Sequence, residues 1–125
     1  MRTIIAVGVA GFFGALARYG LEGFVSHRSE GSFPWGTLIV NVSGSLVLGF
    51  LFAVLIEGRV VVVPWLRTAM MVGFVGAYTT FSTLTLETFR LIEEGSVGLA
   101  GANAFGSLGI GLVAVYVGVV LGRLV

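Results

Sequence analysis

The sequence predicts an all-α integral membrane protein built from four transmembrane helices. Three observations carry this. First, 57% of the 125 residues are hydrophobic, the mean hydropathy is +1.07 and only 10% are charged, against about 25% charged in soluble domains. Second, the charges cut the chain into four apolar pieces of roughly membrane length. Third, Pro-Trp pairs at Pro34-Trp35 and Pro64-Trp65 suit helix starts at an interface, where tryptophan is enriched. The chain reads as one domain, 1–125. It has no cysteine, which excludes disulfides, thiolate metal sites and Cys nucleophiles. A net charge of +1 offers no surface for nucleic acid. The N-terminal apolar run lacks an Ala-x-Ala-like site, so a cleaved signal peptide is not expected.

Taken in order, residues 3–17 are 15 charge-free positions. A span needs roughly 20, so the first helix takes in Arg18 and ends near Val25. Charge-free stretches of 26 residues from Gly31, 19 from Thr68 and 28 from Gly95 give the rest. We place the helices near 3–25, 35–56, 65–87 and 97–121. The third continues as an amphipathic tail to Glu94, with Leu86, Phe89 and Ile92 apolar and Glu87, Arg90 and Glu94 polar. The short connection at Gly95 makes spans three and four an antiparallel hairpin, and four spans put both termini on one side.

The third span carries the most unusual stretch, Gly73-Phe-Val-Gly-Ala-Tyr-Thr-Thr-Phe-Ser-Thr-Leu-Thr85. Glycines followed by adjacent β-branched threonines are poor material for an unbroken helix. A helix broken at membrane depth bares peptide groups that must be buried in protein, line a cavity or bind an ion. The reading is a broken third helix at an ion site; the alternative is a kinked span whose small residues only permit close packing.

Arginines divide four to three between the two sides: Arg2, Arg59, Arg67 and Arg123 against Arg18, Arg28 and Arg90. That is a weak orientation signal, equally consistent with insertion in both orientations and with chance. Twenty glycines, including a GxxxG pair at Gly118 and Gly122, favour close packing, and we infer a dimer. No internal repeat is evident, so an inverted repeat requires two chains.

Thr37, Asn41 and Ser45 lie at i, i+4, i+8 and share one face of the second helix. Intramembrane polar groups mark pathways or bond neighbouring helices. Asn103 and Ser107, one turn apart, read on spacing as packing residues. Arg18 has Glu22 one turn on, which suggests a local ion pair or an electropositive vestibule. Glu22, Glu57 and Glu87 lie near span ends and look interfacial, and His27 sits in a polar loop. Phe81 lies beside the break, where an electropositive ring edge can face a small anion.

These residues resemble one family, the Fluc (CrcB-like) fluoride channels, over nearly the whole chain. The resemblance rests on Gly11-Phe-Phe-Gly-Ala-Leu-Ala-Arg18-Tyr19, on Gly36-Thr-Leu-Ile-Val-Asn41-Val-Ser-Gly44-Ser45 and on Thr79-Thr-Phe81-Ser-Thr83. It implies an antiparallel dual-topology dimer with two fluoride pores and a central structural Na+ held by backbone carbonyls, here those of Gly76 and Thr79. It also implies pore roles for Asn41 and Phe81, polar-track hydroxyls at Ser82, Thr83 and Ser107, and a vestibule role for Arg18. The family's second Phe is replaced here by Leu84, so the partner is a second copy or a paralogous subunit that supplies the missing ring. Asn103 stands near a position where relatives commonly carry Tyr.

The expected function is passive fluoride export through a bacterial plasma membrane, relieving fluoride toxicity, with fluoride, lipid and a second subunit as partners. No nucleotide motif, nucleophile or acid–base pair suggests an enzyme. Two rivals remain: a small-multidrug-resistance-type proton-coupled transporter, which needs a mid-membrane carboxylate, and a non-transporting scaffold subunit.

Overall fold

The computed structural model describes residues 1–125 and is all helix, without strands. The first span is α1, Arg2–Arg28. The second is α2, Trp35–Leu51, prolonged by a π-helical turn, Phe52–Ile56. The third span, Pro64–Glu93, has two helical stretches with the extended residues Thr79 and Thr80 between them. Its first piece, α3 (residues 64–78), contains a π-helical segment, Ala69–Val75. Its second is α4, Phe81–Glu93. The last span is α5, Val97–Arg123. All four spans are long and apolar enough to cross a membrane. The first and last run three and two residues past the expected ends, because no proline or left-handed residue stops them earlier.

The chain is assembled as two tightly packed pairs, α1 against α3 and α2 against α5, with α4 against α5. Glycine permits both approaches, and it does so reciprocally. A Cβ at Gly14 would overlap the Phe74 carbonyl, and one at Gly73 would press on the Val7 carbonyl. Likewise Gly49 faces the Val115 carbonyl while Gly118 faces that of Leu46. The Gly118/Gly122 pair, read from sequence as a sign of dimerisation, is therefore spent inside the chain: Gly122 lies over Ala53 and Phe50 of the second span. Spacing reveals that a helix is approached closely, not which helix approaches it.

The hairpin between α4 and α5 closes by a Schellman motif. Ser96 N–H donates to Leu91 O at 2.8 Å, Gly95 N–H donates to Ile92 O at 3.0 Å, and Gly95 has φ +79°. Only glycine adopts that conformation without strain. At the other end of the bundle, Arg123 and Glu57 form the one ion pair of the chain, with Arg123 Nη2 2.6 Å from Glu57 Oε1. It ties the end of α5 to the loop after the second span. The Arg123 guanidinium, by hydrogen bond and charge, holds the Glu57 carboxyl below the usual glutamate range.

Candidate functional site

Between α3 and α4, Thr79 (φ −83°, ψ 158°) and Thr80 (φ −148°, ψ 118°) are extended. Their peptide groups must find partners outside the helical ladder, since lipid offers none. Asn41 of α2 supplies two at once: its Nδ2 donates to Thr80 O at 2.9 Å, and its Oδ1 accepts from Thr80 N–H at 2.8 Å. The amide that a continuous helix would return to the Gly76 carbonyl is thereby turned toward Asn41. Thr79 stays tied to the first piece through its N–H and hydroxyl, both 3.0 Å from Val75 O.

The restart is capped locally. Thr80 is the N-cap of α4, its Oγ1 accepting from Thr83 N–H at 3.3 Å and donating to Thr83 Oγ1 at 3.0 Å. Threonine is a preferred N-cap residue, but Thr83 in place of the Glu or Gln of a capping box leaves this cap without its usual sequence signature. A second brace is also absent from that reading: Ser43 Oγ and Tyr78 Oη lie 2.7 Å apart. Gly44 permits it, because a Cβ there would collide with Thr79 Cγ2.

The singled-out residues divide by location. Thr37 is 1% exposed, whereas Asn41 and Ser45 are half-buried on the same face of α2. Phe81 is 78% exposed at the first turn of α4, with Ser82 exposed and Thr83 and Leu84 half-buried. Gly76 is exposed and Thr79 half-buried. Ser107 is buried with no hydrogen-bond partner for its Oγ. Asn103 is fully buried; its Nδ2 donates to Thr88 Oγ1 at 2.9 Å, joining α5 to α4, while its Oδ1 is unpartnered. His27 is exposed in the last turn of α1.

The three carboxylates read as interfacial behave differently. Glu57 is at a bundle end, as expected. Glu22 and Glu87 converge on the buried Thr37 hydroxyl, which lies 2.8 Å from Glu87 Oε1 and 3.3 Å from Glu22 Oε1. Glu87 Oε2 is buried and unpartnered. Glu22 makes no ion pair with Arg18, which is half-buried. The i, i+4 spacing is correct for that pair, but Gly36 packs onto the Glu22 backbone and Ser26. This brings α2 close enough for its Thr37 to take the carboxylate instead.

Residues 5–119 match the family described as "CrcB-like protein, Camphor Resistance (CrcB)". The chain belongs to the CrcB-like family. Curated relatives agree over nearly the full length. The "Fluoride-specific ion channel FluC" of Nitratidesulfovibrio vulgaris is 46% identical over 125 residues, covering all of both chains. "Fluoride-specific ion channel FluC 2" of Geobacillus kaustophilus is 47% identical over 114 residues, 91% of this chain and 88% of that one. The FluC of Trichormus variabilis is 40% identical over 124 residues, 99% of this chain and 90% of that one.

Proposed function

We propose that this CrcB-like chain is a subunit of a fluoride-selective channel that lets F− leave the cell passively across a bacterial plasma membrane. The observation that carries the reading is the interrupted third span, held open at Thr79 and Thr80 by two hydrogen bonds from Asn41. An interruption at membrane depth marks a pathway or ion site, and the relatives named above are fluoride-specific channels.

A small, strongly hydrated anion must exchange water for donors. Ser107 offers a buried hydroxyl with no competing partner, and Ser82 an exposed one beside the break. Phe81 can present its electropositive ring edge. Asn41 acts in this reading by holding the track open, because both ends of its amide are engaged by Thr80. Thr37, Ser45 and Thr83 continue the polar face, and Arg18 concentrates anions at the mouth. Fluoride enters cells as the neutral weak acid and ionises inside. The membrane potential then favours exit by about 2.3 kcal/mol per 100 mV for each charge, so no energy source is needed.

The same reading includes an antiparallel two-chain assembly with a structural Na+ at its axis. The residues fit the ion: the Gly76 carbonyl has lost its helical donor, and a Cβ at Gly76 would meet only Met71 O, at 3.8 Å. Gly76 and Thr79 would contribute carbonyl oxygens from each chain, the ligand type hard cations take. Phe81 projects outward from the single chain, where a second subunit would cover it. Since Leu84 stands where a second ring is expected, that subunit is either a copy using one ring per pore or a paralogue supplying the other.

One observation favours the proton-coupled rival, the carboxylates of Glu22 and Glu87 meeting at buried Thr37. Reconstituted chain in liposomes loaded with fluoride separates the two. A channel releases fluoride to an electrode once a K+ ionophore supplies counter-charge, with no pH gradient. Release that requires a proton gradient, or none at all from the chain alone and with a paralogue, overturns the proposal.

A further inference from the structure

At the end of the bundle that carries the chain termini lies a groove of about 710 Å³ between α1, α2 and α3. Twelve of its thirteen lining residues are hydrophobic; the thirteenth is Arg2, at the start of α1. On α1 the lining follows Arg2, Ile5, Ala6, Val9 and Ala10. That spacing is one face of a helix, so the groove runs along the helix axis for about 12 Å at ~1.5 Å per residue. Half a hydrocarbon core is about 15 Å. The groove thus begins at the interface, beside Arg2 and Trp65, and runs into one leaflet. Tryptophan at its rim is where an interfacial ring belongs.

We propose that this groove holds one acyl chain of an anionic phospholipid, with Arg2 on the headgroup phosphate. The chemistry at the two ends differs as a lipid's does: one charged lining residue, Arg2, at the mouth and only apolar lining below it. Arg2 has no acidic partner, since the chain's only ion pair joins Glu57 and Arg123. Its guanidinium suits a bidentate phosphate contact. The alanines Ala6, Ala10 and Ala69 line the groove and leave it unfilled by their own side chains.

The full-length chain, purified in detergent and offered equal phosphatidylglycerol and phosphatidylcholine, tests this by native mass spectrometry of retained lipid. One cation near a headgroup favours the anionic lipid by about fivefold, so wild type should retain phosphatidylglycerol over phosphatidylcholine by that ratio. Arg2→Gln should bring the ratio close to one, and Val9→Trp, at a lining residue that is 54% exposed, should lower retention of both lipids. Arg2 is exposed at a helix end, so its variant retains the fold. Equal retention by wild type overturns the inference, as does a preference that survives Arg2→Gln. Unchanged lipid retention in Val9→Trp, with its oligomeric mass falling to that of one chain, would overturn the inference and assign the groove to a second copy.

Discussion

Replacing Asn41 by alanine should both destabilise the fold and stop fluoride efflux. The substitution removes two hydrogen bonds and strands the N–H and C=O of Thr80, a residue 7% exposed. A buried peptide group left unpaired costs about 1–3 kcal/mol, giving roughly 2–6 kcal/mol for the two. Side-chain hydrogen bonds inside membrane proteins average only about 0.6 kcal/mol, because the unfolded state in lipid also finds partners; on that scale the loss is about 1.2 kcal/mol. The first scale is the more appropriate, since what is stranded is backbone fixed outside a helix, whereas the unfolded span can re-form its helical bonds at the same residue. We therefore expect about 2–4 kcal/mol, a fall of more than tenfold in the folding constant. Asn41→Asp separates the two bonds. Its carboxylate still accepts from Thr80 N–H, but it places negative charge against the Thr80 carbonyl, so it should be no better than alanine. Unfolding titrations in mixed micelles measure the first quantity and a fluoride electrode the second. If Asn41→Ala loses less than about 0.5 kcal/mol and conducts normally, the amide is not what holds the third span open.

Four further outcomes follow from the geometry. Phe81→Ile should abolish efflux while the chain still folds, because the residue is 78% exposed in the single chain and bears little of its internal packing; normal efflux would remove Phe81 from the pore. Gly14→Ala should cost about 1–3 kcal/mol by overpacking against the Phe74 carbonyl. Gly109→Ala, with nothing within 4 Å of the new methyl, should gain up to about 1 kcal/mol from helix propensity; equal effects in unfolding titrations would refute the packing assignment. Glu57→Gln should lower thermal stability near neutral pH but not in acid. The native carboxyl is held below its unfolded value by Arg123, so the stabilisation is present above the unfolded pKa and disappears as pH falls through the lower, native one; a melting-temperature gap that persists in acid would contradict this. Finally, purified protein dialysed free of loosely bound salt should retain one sodium ion per two chains by elemental analysis, and none if the Gly76 and Thr79 carbonyls hold no ion.

Much of this architecture is legible in the sequence because lipid simplifies the reading. With no water to satisfy a peptide group, charge-free length alone marks the spans, and Gly31, Gly58 and Gly95, all with positive φ, punctuate the three connections. The stretch from Gly73 to Thr85 is conspicuous for the same reason, and Thr79 and Thr80 fall inside it. Partnership is what the linear pattern does not contain. Asn41 stands out as a polar residue at depth, yet its bond to Thr80 joins positions 39 apart. Arg18 and Glu22 have the spacing of an ion pair, but tertiary approach of α2 gives Glu22 to Thr37.

The glycines carry this distinction furthest. Gly14, Gly73, Gly49 and Gly118 all face carbonyls of neighbouring helices within the chain, so the close packing they permit is already used. What remains available to a second subunit is a different set: Gly106 and Gly109 with open space before them, the outward Phe81 and Phe105, and exposed Gly76 beside the extended threonines. The two-chain assembly proposed above is therefore supported less by glycine content than by chemistry. The Thr80 amide that would close a helical bond to the Gly76 carbonyl goes to Asn41 instead, and a peptide oxygen left without a donor at membrane depth needs protein or an ion to cover it.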